Sequence, residues 1–239
     1  MVDGVLVGRV AAVLRYPVKS MAAEPVERAA VSWHGISGDR RWAFVRPDQA
    51  GNGLPWLTLR RNNHLNGYRP MWTDPARADS SAVVVETPAG DRLDVRSPAL
   101  AAELGDGAWA MKVHRGTFDT FPLSLITTRT VHGLGALLGV DLDVRRFRPN
   151  LVIEAFGTVA FPEDDWVGRT LTVGTTQLRI DKRDQRCVVV NVDPVTGHRD
   201  PAVLRAIAAH RAACLGVYGS TVHPGHVAIG DPVTLSAVR

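Results

Sequence analysis

The hydrophobic pattern along the chain is one of short runs. VLVGRVAAVLRYPV (5–18), AVVVETP (82–88), LDVRS (93–97), LTVGTTQLRI (171–180), CVVVNVD (187–193) and VAIGDPVTLSAV (227–238) are rich in Val, Leu and Thr and are bounded by Gly, Pro and Asp. Each predicts a strand. With 22 Gly and 15 Pro, turns are frequent. Many short strands joined by turns predict a barrel or sandwich, mainly β with a few helices (α+β).

Three segments break into helical spacing. PAVLRAIAAHRAACLG opens on Pro201, repeats apolar residues at Val203, Ile207, Ala208 and Cys214, and is expected to end at Gly216. A second helix is expected from about Thr128 through VHGLGALLG, with threonines available to cap it. Ser97 to Gly107 reads as a short helix and turn, and a soft boundary falls near residues 105–122. Internal repeats and low-complexity tracts are not evident.

Composition narrows the classes. The chain has 239 residues, 45% of them hydrophobic and 22% charged, which is ordinary for a globular protein. No apolar run approaches the roughly 20 residues of a membrane span. MVDGVLVGRV does not have the form of a secretion signal. Two cysteines cannot build a disulfide framework, so the expected compartment is a reducing cytoplasm. The net charge of +4 argues weakly for an anionic ligand. Lys and Arg are scattered, with no nucleic-acid-binding motif, so no nucleic-acid partner and no membrane partner is expected.

Candidate chemistry centres on DQRCVVVNVDPVTGHRD, where Cys187 sits near Arg183 and Arg186. Cationic neighbours favour a thiolate that attacks or binds a soft metal. A buried strand cysteine, or a disulfide with Cys214, are the other readings of the same residues. HPGH (223–226) lacks the partners of a zinc site and reads as a turn. GLGALLG (133–139) is a loosened dinucleotide fingerprint, one residue too long and inside a helical pattern, so close helix packing is its reading. YPVKS (16–20) offers Lys19 and Ser20 to a phosphate or to solvent. In GDRRWAFV (38–45) adjacent arginines on a strand would point to opposite faces. In RRFRPNLVIE (145–154) Arg148 beside Pro149-Asn150 is placed to grip an oxyanion. Asp193 and Thr196 of VDPVTG read as turn-forming residues.

Taken in order, YPVKS, GDRRWAFV, RRFRPNLVIE, DQRCVVVNVDPVTG and VYGSTVHPGHVAIGDPV resemble the MOSC family, the molybdenum cofactor sulfurase C-terminal domain group, over nearly the whole chain. The similarity extends to mitochondrial amidoxime-reducing components and their bacterial counterparts. It implies an N-terminal β-barrel-like domain (1–115), a MOSC β-barrel domain (116–239) and a molybdenum cofactor, Mo-molybdopterin. Cys187 would ligate molybdenum and be the catalytic residue. Lys19, Ser20 and Arg40 would hold the cofactor's phosphate end or pterin, with Arg148, Asn150, Arg186 and Tyr218 completing the pocket. Thr120 and Phe121 stand where the family often has a serine, and Gln185 where a smaller polar residue is expected.

The implied activity is reduction of N-hydroxylated small molecules: amidoximes, hydroxylamines, N-hydroxylated bases or N-oxides. Two cysteines cannot hold a four-cysteine iron–sulfur cluster, so an external electron-transfer protein of ferredoxin, cytochrome or flavin-reductase type is expected. No ferredoxin tail or membrane anchor is expected on this chain. The alternatives are sulfur transfer through a Cys187 persulfide and a non-catalytic molybdenum cofactor carrier.

Overall fold

A computed structural model of the chain describes residues 4–51 and 54–237. In its first part the strands are β1 (Gly4–Arg15), β2 (Glu24–Val26), β3 (Arg28–Ser32), β4 (Gly35–Ile36), β5 (Trp42–Val45), β6 (Arg69–Trp72), β7 (Val83–Glu86) and β8 (Arg92–Asp94). Helix α1 (Pro98–Leu104), β9 (Trp109–Lys112), β10 (Leu123–Thr127), α2 (Thr128–Leu138) and β11 (Leu151–Ala155) follow. The last part holds β12 (Thr170–Val173), β13 (Thr176–Gln185), α3 (Pro201–Arg211), β14 (Cys214–His223), β15 (Gly225–Ala228) and β16 (Pro232–Ser236).

Seven strands close into a barrel in the order β1-β11-β10-β14-β13-β12-β16 and back to β1. β10 and β11 run parallel and the other barrel neighbours antiparallel. The closing strand comes from the far end of the sequence. β1 pairs Gly4 with Ser236 on one side and Val13 with Leu151 on the other. The change in composition near 105–122 therefore does not divide the barrel. β2 continues the sheet beyond β1.

Strand periodicity assigns the faces. Leu123 and Leu125 of β10, with Leu151 and Ile153 of β11, fill the barrel alongside Val10, Val13, Leu178 and Val217. Their neighbours Ile126 and Val152 face outward, under α2 and α3, where Val131, Leu134, Val203 and Ile207 cover them. A second core lies under β5–β9, the β6-β7-β8 sheet and α1, built on Trp42, Phe44, Trp72, Val83, Val85 and Leu100.

The fold is mainly β, as expected, but several elements differ from the sequence pattern. LTVGTTQLRI is two strands, β12 and β13, split at Gly174. CVVVNVD is not a strand: Val188–Asn191 is a 3₁₀ turn. Its β-branched residues are overridden by tertiary partners. Arg146 Nη1 donates to the Asn191 carbonyl at 3.1 Å, and Asn191 Oδ1 accepts from the Leu204 amide at 3.0 Å, pinning the turn to α3. α3 ends at Arg211, not at Gly216. Ala212 and Ala213 take the left-handed conformation that the sequence assigns to glycine. Ala208 lies on the exposed face of α3, and Cys214 begins a strand. α2 starts where a threonine caps it: Thr127 Oγ1 accepts from the Thr130 amide at 3.1 Å. Within α2, a Cβ on Gly135 would lie 2.6 Å from the Val140 carbonyl oxygen, so GLGALLG serves close packing. Val238, at the end of the last predicted strand run, lies outside the described residues. Among those described, no helix is long and apolar enough to cross a membrane.

Glu163 ties α2 to the barrel. Fully buried, it accepts from the Thr127 amide at 3.1 Å, Thr127 Oγ1 at 2.9 Å and Thr130 Oγ1 at 2.7 Å. Glu163→Ala leaves these donors buried without an acceptor and should lower the unfolding free energy by about 3 kcal/mol in denaturant titration. Glu163→Gln keeps an acceptor and should lose about 1 kcal/mol. Burial raises the Glu163 pKa above its ordinary 4.5, so the folded state favours the protonated acid. Its contribution to stability is then full below pH 4.5 and declines as pH rises through the raised pKa; the Gln variant should not share that decline.

Candidate active site

The sharp turn after β1 starts the site. Tyr16 follows the strand, and its amide donates to Asp39 Oδ1 at 2.7 Å while its carbonyl accepts from the Arg40 amide at 2.6 Å. Lys19 and Ser20 come next, Ser20 with a φ of 68°. Arg40 and Arg148 also have positive φ, 50° and 53°. Six non-glycine residues have this backbone among the described residues, and three of them line one cleft. Such conformations cost about 1–3 kcal/mol and gather at functional sites.

That cleft encloses about 950 Å³ of empty space, its open mouth included. Every residue proposed from the sequence lines it: Lys19, Ser20, Arg40, Arg148, Asn150, Arg186, Cys187 and Tyr218. Arg40 and Arg41 do separate, but not by strand alternation. The strand begins at Trp42, and the left-handed turn at Arg40 sends its side chain to the cleft while Arg41 pairs with Asp79. Arg40 Nη1 pairs with Asp39, and its Nη2 donates to the Arg148 carbonyl at 3.3 Å. Asn150 acts on the wall. Its Oδ1 accepts from the Ser124 amide at 3.2 Å, and its Nδ2 donates to the Leu14 carbonyl at 3.2 Å.

Cys187 sits at the mouth of the 3₁₀ turn, one residue beyond Arg186, which follows β13. Its sulfur makes no capping bond, is half-buried and is free. Cys214, also free, lies opposite Gln185 on β14, so no disulfide joins the two. Asp193 and Thr196 are engaged in their own turn: Asp193 Oδ1 accepts from the Val195 and Thr196 amides at 3.0 and 2.8 Å.

Several contributors escape the sequence reading. Arg60 lines the cleft with Cys187, whose charge would favour its protonated form, and donates to Asp119 Oδ2 at 2.8 Å. Asp119 also takes Lys19 Nζ at 2.5 Å. Asp184, buried to 1% exposure, accepts from Ser124 Oγ at 2.9 Å and pairs with Arg186 Nη1 at 2.9 Å. Burial raises the Asp184 carboxyl pKa against the pull of Arg186. Tyr218, close to Asp184, is also raised by burial, with the Asp184 charge adding to the rise. Phe121 stacks on Tyr218 with centroids 5.8 Å apart. Thr120 and Phe121 line the cleft, but the serine in the wall is Ser124 on β10. The alternation within LSLIT, with Ser124 between two barrel leucines, is the signal that finds it.

The electrostatic balance is cationic. Lys19, Arg40, Arg60, Arg146, Arg148 and Arg186 line the cleft against Asp119 and Asp184, six charges to two. Burial holds Lys19 below its ordinary range. Burial, with Arg40 nearby, pulls Arg148 down to about 10. Arg146 Nε, Arg148 Nη2 and Arg186 Nη2 are buried and have no hydrogen-bond partner. Leaving such donors unmet costs about 1–3 kcal/mol each, and an anion in the cleft would satisfy those within its reach. Among the described residues no group of three or more His, Cys, Asp or Glu could hold a metal by themselves. A metal here would bring most of its own ligands, with Cys187 as the protein's thiolate.

Comparison with known proteins places this geometry in context. The MOSC N-terminal beta barrel domain model matches residues 7–119, and the MOSC domain model matches residues 110–234. The human mitochondrial amidoxime-reducing component 1 is 28% identical over 132 residues, covering 49% of this chain and 37% of that protein. The molybdenum cofactor sulfurase of Drosophila grimshawi is 26% identical over 267 aligned residues, 92% of this chain and 34% of that protein. The chain thus spans about a third of the length of these curated relatives. The YUAD protein of Bacillus subtilis shares the fold, with a TM-score of 0.55 at 12% identity over 100% of both chains.

Gly216 lets Arg186 approach. Its φ is 73°, and a Cβ there would lie 2.7 Å from the Leu125 carbonyl oxygen and 3.1 Å from Arg186 Nη2. Gly230, with φ 85°, has open space around it. Gly230→Ala should lose about 1 kcal/mol of unfolding free energy from backbone strain, and Gly216→Ala about 3 kcal/mol or more. Equal losses would remove the steric role assigned to Gly216.

Proposed function

The chain belongs to the MOSC family, its N-terminal β-barrel domain preceding the MOSC domain itself, and on that premise we propose that it is a molybdenum-cofactor-dependent reductase of N-hydroxylated compounds. The observation that carries the reading is a free cysteine in a cleft whose guanidiniums keep buried, unpartnered N–H groups. A cofactor with an anionic phosphate and a sulfur-held metal fits both features. Bound there, the molybdenum cofactor would supply the two-electron chemistry that removes oxygen from an N–O bond.

The chain's own residues would bind and orient. Arg148 and Arg186 would turn their free Nη2 groups to the anionic cofactor. Lys19, Ser20 and Arg40 would hold its phosphate end or pterin from the N-terminal side. Asn150 would serve by fixing the wall behind Arg40. Cys187 would be the metal ligand, with Arg60 steadying its sulfur. Tyr218 and Asp184 would set the orientation of Arg186. For an amidoxime the balance is two electrons and two protons in, with amidine and water out. The electrons would come from an external electron-transfer protein, of ferredoxin, cytochrome or flavin-reductase type. Two free thiols suit a reducing cytoplasm.

Similarity to a molybdenum cofactor sulfurase along 92% of the chain keeps sulfur transfer through a Cys187 persulfide as the second reading.

Protein purified from a host able to make molybdenum cofactor should carry near-stoichiometric molybdenum and pterin and reduce benzamidoxime with a chemical electron donor. Cys187→Ala should retain pterin and lose turnover. Unchanged turnover in that variant would end the ligand role. Empty wild-type protein carrying a persulfide by mass spectrometry would favour sulfur transfer. Loaded protein that turns nothing over would indicate a carrier.

A further inference from the structure

A second, smaller hollow opens beside the cleft. It encloses about 460 Å³ of empty space, mouth included, and shares Lys19, Thr58, Arg60 and Asp119 with the cleft. Its outer wall comes from Arg46, Gln49, Leu54 and Trp56, with Arg61 from the turn after them. Asp119 stands at the junction, held by Lys19 on one side and Arg60 on the other.

Lys19, Arg46, Arg60 and Arg61 line the hollow, and Asp119 is the one acid among its lining residues. Most of these cations are already engaged. Lys19 binds Asp119 and donates to the Thr117 carbonyl at 2.7 Å. Arg60 donates to Asp119 Oδ2 at 2.8 Å. Arg46 Nε donates to Asp48 Oδ1 at 2.9 Å. Arg61 has no ion pair or side-chain hydrogen bond among the described residues, although its amide donates to the Thr58 carbonyl at 3.0 Å and fixes its turn. Trp56, half-buried, adds an aromatic wall. A solvated arginine alone means little. One set in a concave hollow with surplus positive charge, joined through Arg60 to the cleft that holds the free Cys187, suits a small anion.

We infer that this hollow is a specificity annex, in which Arg61 takes the carboxylate of a small N-hydroxylated substrate whose N–O group lies toward Cys187. The inference rests on the reductase reading for its N–O end. The annex is too small for a macromolecule, so its occupant is a compound the size of a substituted aromatic acid. An aromatic body would lie against Trp56 while the carboxylate meets the guanidinium.

Benzamidoxime and 4-carboxybenzamidoxime differ by this one charged group. With the cofactor-loaded wild type, KM for the carboxylated compound should be about threefold lower, within the range for an ion pair at an exposed arginine. In Arg61→Gln the ratio of the two KM values should approach one, and Arg61→Lys should restore part of it. The wild-type preference should shrink as salt is raised. Calorimetric binding of both compounds without an electron donor separates the annex from the chemistry. A carboxylate preference that disappears in Arg61→Gln supports the annex even if neither compound is reduced, an outcome that would sink the reductase reading alone. Equal affinity of the wild type for both compounds, or a preference that survives in Arg61→Gln, would overturn the annex.

Discussion

Much of the site depends on the ring of Tyr16. Arg40, from the N-terminal half, lies 4.6 Å from its centroid, and Arg148, from the barrel half, lies 4.3 Å from it. Two guanidiniums this close repel each other. Each contact to the ring returns about 0.5–2 kcal/mol, and Asp39 beside Arg40 offsets more of the repulsion. Tyr16 can hold this place because it directly follows β1, whose position is set by the barrel on both sides. Barrel closure, the aromatic contact and the cationic cleft are therefore one construction.

The same construction explains the uneven placement of satisfied and unsatisfied groups. Asn150, Asp39 and Asp184 have their oxygens occupied by protein donors and act as buttresses. Three free N–H groups, on Arg146, Arg148 and Arg186, belong to guanidiniums that line the cleft, while others, such as Arg15 Nη2 and Trp42 Nε1, lie away from it. A protein that buries arginines so incompletely paired gives up some stability in exchange for a cavity ready to accept negative charge.

The sequence disclosed the class of fold and the segments that form the site. Strand runs bounded by Gly and Pro were legible because period-two burial leaves a local trace, as in β10 and β11. Cys187, Arg148 and Lys19 stood out because each sits in a short segment with an unusual neighbourhood. The turn at 188–191 was not legible. Three consecutive valines carry a strand signal, and the Arg146 and Asn191 bonds that override it come from residues distant in sequence or from outside the run. The end of α3 was hidden because alanines adopt a backbone ordinarily left to glycine. Arg60, Asp119 and Asp184 were missed because only folding brings the first two against Lys19 and Cys187, and because an aspartate next to arginines looks like a solvated pair until its burial is known.

The circular path of the barrel has a consequence in time. β1 leaves the ribosome before any of its barrel partners exist. Val13 must wait for Leu151, and Gly4 for Ser236. At about 5–20 residues per second, that is a delay of many seconds in which β1 has only the short β2 to pair with. The second core under β5–β9 and α1 needs no residue from β10 onward except Val189 at its margin, so it can assemble first and shelter the early strand's neighbours. The barrel is thus a lock that closes only when β16 is made, after every residue lining the cleft, the last of them Tyr218, has already been added.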